Sequence, residues 1–262
     1  MKPLGMLGAM FLAAGLCSGA AAAEICEGFG PQTPRDIAEK AGKNPVVFTA
    51  APQRDRLNLC NIHFHVQAEH KGPSFSVFAG PGEHGGYRCA EPATLSPAEL
   101  ADPQQGQGAC RGVKPGDTIE VHWVHTSCSV QPGPGLGACL SGSCANPQLR
   151  VEAQVFLLVN DPKAANFADY DYEGLPTEGR HRAKALPGAA DEAVLFLGST
   201  TGPSYSEAVC SPLQVTWAVR PLCRKLDIGS LHAWCESNVF KEDYGHGVRQ
   251  LVTTPELLAV IE

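Results

Sequence analysis

The sequence predicts a mostly β protein with short peripheral helices, and three observations carry that prediction. Short runs rich in β-branched and aromatic residues recur at 45–50, 57–66, 75–79, 118–126, 149–159, 193–197 and 213–219. Turn formers separate them: the chain holds 28 glycines and 21 prolines, and apolar runs punctuated in this way are the pattern of strands. Helix-start signals, by contrast, are few. Thr33-Pro34 can cap and start a helix ending near Gly42, Ser96-Pro97 a short one, and Ser230 can cap one over 231–239, because a hydroxyl cap or a proline in the first turn favours initiation.

Lys114-Pro-Gly-Asp117 is a turn signal directly ahead of the run 118–126, so that run begins as a strand and His122 falls in its middle. The Gly/Pro-rich stretch 131–144 cannot build a regular element and reads as a surface loop held by Cys139 and Cys144. No internal repeat is present.

Met1-Lys-Pro3, an apolar run from Leu4 to Leu16, and Ala21-Ala-Ala23 before Glu24 have the order of a secretory signal peptide, cleaved after Ala23. Leu16 before Cys17 argues against a lipid-anchored cysteine. Residues 24–262 show no break in composition and no charged linker, so they read as one catalytic-sized domain. Ten cysteines remain there: Cys26, Cys60, Cys89, Cys110, Cys128, Cys139, Cys144, Cys210, Cys223 and Cys235. An even count in an exported chain predicts up to five disulfides and a secreted or periplasmic location. No Cys-x-x-Cys pair offers a thiolate zinc site. A formal net charge of −7 with no cluster of lysine or arginine speaks against nucleic acid as a partner. After residue 23 no segment approaches the roughly 18 apolar residues of a membrane helix, so no membrane insertion is expected. Oligomeric state is not legible.

The chemistry gathers on three histidines. A strand repeats every two residues, so His63 and His65 share one face. If the strand bearing His122 lies beside them, three imidazoles form the nitrogen tripod that suits a catalytic zinc and leaves one coordination position open. Glu120 falls on the same face as His122, where a carboxylate can take that ring's second N–H. His125 is offset from His122 by three and faces the other side of the strand, as a core histidine; His70 reads the same way. Read alone, Glu69 fits an exposed acid at a strand end, Thr200-Thr201 a polar turn before Gly202-Pro203, and Trp217 plain core.

Taken in order, His63-Phe-His65, Glu69-His70, Glu120-Val-His122-Trp-Val-His125, Gly198-Ser-Thr-Thr201 and Val215-Thr-Trp217 resemble the alpha-class carbonic anhydrases. Those carry His-Phe-His, Glu-His, Glu-Leu-His-Leu-Val-His, Ser-Leu-Thr-Thr-Pro and Val-Thr-Trp in the same order. The stretch Cys60-Asn-Ile-His-Phe-His-Val-Gln-Ala-Glu-His-Lys71 and the richness in cysteine are closer still to the delta class. The resemblance implies a single domain around a central, largely antiparallel twisted sheet, and the reversible hydration of carbon dioxide to bicarbonate by zinc-bound hydroxide. It implies His63, His65 and His122 as zinc ligands, Glu120 behind His122, and Thr200 as the hydroxyl that takes a hydrogen bond from the nucleophile and donates to Glu69. Thr201, Val124 and Trp217 take the positions of the substrate pocket, and Cys26 the position of a partner for Cys210.

Two departures stand out. Ser199 occupies a position that is leucine in the alpha class, and no histidine precedes His63 where that class keeps its proton shuttle. A shuttle must then come from His84, His181, His232 or His246, with His84 in its Gly/Pro-rich loop the first candidate. Imidazole ligands also accept cobalt or cadmium, so the donor set does not name the metal by itself. Two other classes compete. His63-x-His65-x-x-x-Glu69 matches the core of a cupin metal motif, though without its flanking glycines; and a secreted zinc-binding protein without catalysis can carry the same three histidines.

Overall fold

A computed structural model describes residues 26, 28–80, 85–90, 94–189, 192–201 and 210–262. The proposed signal segment 1–23 and His84 lie outside the described residues. The chain runs β1 (Asn58–Val66), β2 (Val77–Phe78), β3 (Tyr87–Arg88), α1 (Pro97–Leu100), β4 (Thr118–Thr126), β5 (Leu149–Val159), β6 (Val194–Ser199), β7 (Gln214–Val219), β8 (Arg224–Asp227) and α2 (Ile228–Glu236). It is mostly β, with helices at the periphery.

Six strands make one sheet in the order β1-β4-β5-β7-β6, with β8 also against β5. The β1/β4, β4/β5 and β6/β7 ladders are antiparallel; β7 and β8 run parallel to successive stretches of β5. The sheet is therefore mixed. β2 and β3 form a separate two-stranded ribbon.

Every position of β4 and of β5 is buried, as expected of central strands covered on both faces. Alternate residues divide between two cores. Ile62, Phe64, Val121, Trp123, Phe156 and Leu158 pack on one side, while Val124, Val151, Val155, Phe196, Val215 and Trp217 pack on the other. His122 and Glu120 share the parity of Val124 and so belong to the second side. All ten described cysteines are paired: Cys26–Cys210, Cys60–Cys139, Cys89–Cys223, Cys110–Cys235 and Cys128–Cys144. Cys139 and Cys144 do hold the 131–144 loop, through separate bonds to Cys60 and Cys128.

Several local expectations give way to tertiary contacts. The helix expected over 33–42 does not form, because Arg35, fully buried, donates to the carbonyls of Glu39, Ala41 and Ala259, which holds the segment extended along the C-terminal tail. Backbone bonds from Lys43 to Pro255 and from Asn44 to Leu258 complete that seam. The run 45–50 finds no neighbouring strand, Val47 is exposed, and β-propensity without a pairing partner does not make a strand. Only Val77–Phe78 of 75–79 is a strand. α1 starts at Pro97 under a capping box between Ser96 and Glu99. α2 begins earlier than Ser230: Asp227 caps it by accepting from Ser230 N at 2.9 Å.

One buried ion group ties β5 to the end of β7. Glu152 lies 2.7 Å from Arg150 Nε and 3.1 Å from Arg220 Nη2, all three nearly sealed from solvent. Burial raises the Glu152 carboxyl, but Arg150 and Arg220 outweigh it and hold the pKa below the usual range. A pKa depressed by folding means stability that is present above the unfolded value and lost as pH falls through the folded one. Glu152→Gln, which leaves two buried guanidinium groups without a counter-charge, costs about 3–5 kcal/mol near neutral pH. Denaturant titrations of the variant and the parent should converge as the pH drops below about 4.

Candidate metal centre

The antiparallel register of β1 and β4 sets His63 directly opposite His122 and His65 opposite Glu120. Opposed side chains on one face stand about 4.5–5.5 Å apart at Cβ, close enough for rings to meet. The register shifts between Leu59 and Asn61, a bulge at Cys60, and beyond it the regular two-residue period sets Asn61, His63 and His65 on the same face. The Cys60–Cys139 disulfide anchors that bulge.

His122 Nδ1 lies 3.3 Å from His63 Nε2, and one nitrogen from each of His63, His65 and His122 falls within 4.8 Å of the other two. Two of the outer nitrogens are hydrogen-bonded, and the third faces a carboxylate. His63 Nδ1 donates to Asn61 Oδ1 at 2.6 Å, and Asn61 Nδ2 donates to Gly133 O at 3.0 Å, which fixes the orientation of that amide. His65 Nδ1 donates to Gly247 O at 2.8 Å. His122 Nε2 lies 3.1 Å from Glu120 Oε1, an electrostatic pair somewhat off the line of an ideal hydrogen bond.

With the outer nitrogens carrying the protons, the inner ones present lone pairs to one another. Two acceptors facing at 3.3 Å repel unless a cation sits among them, so the donor set fits a metal ion. Burial, reinforced by His122, His65 and His246, keeps His63 well below its ordinary pKa, and burial brings His65 down to about 4. Both rings are therefore neutral near pH 7, the state in which imidazole binds a metal.

Glu120 anchors the arrangement from below. It is fully buried; Oε1 accepts from His70 Nδ1 at 2.8 Å, and Oε2 accepts from the backbone N–H of Glu69 at 2.6 Å and of His70 at 3.0 Å. Burial pushes its carboxyl up, but His70 and His122 hold it well below the usual range. The carboxylate thus stays charged beside His122. The His122 ring packs 5.1 Å from Trp217 and His70 4.7 Å from it, centroid to centroid.

A cleft of about 470 Å³ opens onto the His63 and His65 rings, lined by Asn61, Leu136, Glu242 and His246 among others. Of the four histidines weighed as proton carriers, His246 shares this cleft, its ring 5.6 Å from His63 and its Nε2 bonded to Glu242 at 3.0 Å. His181 is bonded to the Tyr172 hydroxyl and His232 accepts from Cys110 N, both away from the cleft. His125 donates Nδ1 to Trp123 O from the opposite face of β4.

Glu69, 1 % exposed, is held by Arg249 Nε on Oε1 and stands 3.3 Å from His65 Nε2 on Oε2. Burial raises its carboxyl, while Arg249 and then His65 bring it down to about 2. Among the described residues no hydrogen bond joins Glu69 to Thr200. Thr200 is buried at the end of β6, its N–H on Leu213 O and its carbonyl taking the Ser211 hydroxyl. Thr201, half-buried, is the last residue described before position 210. Val124 and Trp217 are each 1 % exposed and do not line the cleft; Trp217 Nε1 donates to Ser199 O. Ser199 turns its hydroxyl to Gln32 and adds no polarity to the cleft.

The residues that sequence reasoning passed over are Asn61, Glu242, Gly247 and Arg249. Asn61 had a legible signal, the two-residue step to His63; the stretch 242–249 is irregular and offers no period that would place it here.

The family model of the delta carbonic anhydrases matches residues 54–230. No curated protein matches the chain. Among solved structures, a hyperthermostable carbonic anhydrase identified from an active hydrothermal vent chimney is 14 % identical, with 91 % of this chain and 89 % of that one covered and a TM-score of 0.35. The alpha-carbonic anhydrase of Photobacterium profundum is 15 % identical over 88 % and 90 % of the two chains, with a TM-score of 0.34. That of Thermovibrio ammonificans, solved in complex with the inhibitor sulfanilamide, is 16 % identical over 84 % of each, at 0.30. Likeness at that level says nothing about individual site residues. The family match, in contrast, spans well over half of the chain and takes in β1, β4, β5 and every histidine of the convergent group, and on that match the chain belongs to the delta carbonic anhydrases.

Proposed function

We propose that this carbonic anhydrase hydrates carbon dioxide with one zinc ion held by His63, His65 and His122. A single observation carries the assignment: three ring nitrogens converge within 4.8 Å while each ring's other nitrogen faces a protein oxygen. Bound there, zinc supplies a Lewis acid that lowers the pKa of a coordinated water from about 15.7 to about 7. Cobalt or cadmium could occupy the same donors.

The chain's own residues do the rest. Asn61 and Gly247 accept the outer N–H groups of His63 and His65, and the Glu120 carboxylate draws that of His122 outward, so the lone pairs turn inward. The charge on Glu120 makes His122 a more basic donor. Leu136 gives the cleft an apolar stretch where carbon dioxide is held weakly, as fast turnover requires. The family resemblance supports Thr200 and Glu69 as the catalytic hydroxyl and carboxylate, Thr201 as the companion hydroxyl, and Val124 and Trp217 as apolar substrate-pocket positions. The cupin alternative, in which Glu69 binds the metal, finds no support, since Glu69 is absent from the convergent group and its carboxylate is taken by Arg249. Five disulfides support export after cleavage of residues 1–23, with 24–262 as the catalytic domain.

His122→Ala should lose both the zinc, measured by elemental analysis of the purified protein, and carbon dioxide hydration, measured by stopped-flow with a pH indicator. Hydration at the parent's rate would refute the tripod; retained zinc with no hydration in the parent itself would favour a non-catalytic binder. Asn61→Ala, which frees His63 Nδ1, should weaken zinc affinity about 10–100-fold in a competition titration with a chelator while the fold is kept.

A further inference from the structure

Residues 242–249 lie beyond the stretch that matches the family, yet they close the site. Gly247 supplies the carbonyl behind His65, and Arg249 supplies the guanidinium on Glu69. Because His65 gives its Nδ1 proton to Gly247, its Nε2 presents a lone pair, and that lone pair faces Glu69 Oε2 at 3.3 Å. Two acceptors at that distance repel one another, and since Glu69 lies outside the group in which His63, His65 and His122 converge, its carboxylate needs a counter-charge elsewhere. Arg249 on Oε1 supplies that counter-charge, while Oε2 stays beside His65 without joining the convergent group. With Glu69 1 % and Arg249 12 % exposed at the side chain, water offers little competition to either.

We propose that Arg249 is a positioning residue: by binding Glu69 Oε1 it holds the carboxylate aside and keeps one coordination position open in the His63–His65–His122 site. The proposal rests on those three histidines holding the metal. A site closed by four protein donors is structural, whereas a site with three keeps a place for solvent and substrate. Glu69 is near enough to His65 to be the fourth donor, and a buried carboxylate stripped of its guanidinium is an uncompensated charge that turns to the nearest cation. The spacing His63-x-His65-x-x-x-Glu69 is thus compatible with either kind of site, and a residue 180 positions from Glu69 selects the open one.

The test uses the cobalt-substituted full-length protein, whose visible absorption reports coordination, titrated with azide. In the parent, azide enters the open position and shifts the bands. Arg249→Ala should still bind one cobalt per chain, but its apparent azide affinity and its hydration rate should fall by at least about tenfold. Arg249→Ala/Glu69→Gln, with the intruding charge removed, should regain the azide response. Parent-like azide binding in Arg249→Ala overturns the proposal, as does a double variant no better than the single one. Should Arg249→Ala fail to fold, the double variant decides: folding with an azide response supports the proposal, and failure to fold overturns it, since Arg249 then serves packing rather than the placement of Glu69. If His122→Ala gives the parent's cobalt spectrum, the tripod itself has failed, whatever Arg249 does.

Discussion

The site depends on one pairing, His63 against His122 across the β1/β4 ladder. A strand slipped by one residue turns every side chain to the opposite face, so the register is an all-or-nothing condition for the three rings to meet. Several features hold it. Apolar residues of β1 and β4 fill the core on the far side, and a slip would drive His63 and His122 into the packing of Phe64, Val121 and Trp123. The bulge at Cys60, pinned by Cys139, lets Asn58 and Leu59 pair with Thr126 and His125 ahead of the regular register that carries Asn61 and the histidines.

Polar groups this deep are costly unless each finds a partner. Glu120 meets that condition with two backbone N–H groups, His70 and His122, and so a carboxylate in the core becomes a fixed negative charge that orients one ligand ring. The hydrogen bonds of Glu120 also fix the backbone at Glu69 and His70, which places the Glu69 side chain beside His65. Ligand orientation and the placement of the second carboxylate therefore share one anchor. The C-terminal segment adds the remaining constraint through Gly247 and Arg249.

Much of this was legible. β4 and β5 begin and end where the β-branched runs do, since each is a long apolar stretch bounded by turn formers and buried on both faces. Two-residue parity alone separated His122 from His125. What sequence could not convey was set by contacts distant in the chain. Arg35 diverts the 33–42 segment from a helix by capturing carbonyls, including one at Ala259, and no local pattern announces that. β3 is two residues long and β8 four, too short for periodicity to mark. Arg249, in an irregular segment, is brought to Glu69 by tertiary structure alone. Val124 and Trp217 pack on the side of the sheet that carries His122 but are buried away from the cleft, a difference in depth that parity cannot resolve.

An anomalous-scattering map at the zinc edge of the metal-loaded protein tests the central claim most directly. It should show one ion about 2.0–2.1 Å from His63 Nε2, His65 Nε2 and His122 Nδ1, with a non-protein atom completing the tetrahedron. An ion bound through Glu69, or a His122 ring that ligates through Nε2 and has left Glu120, would contradict it.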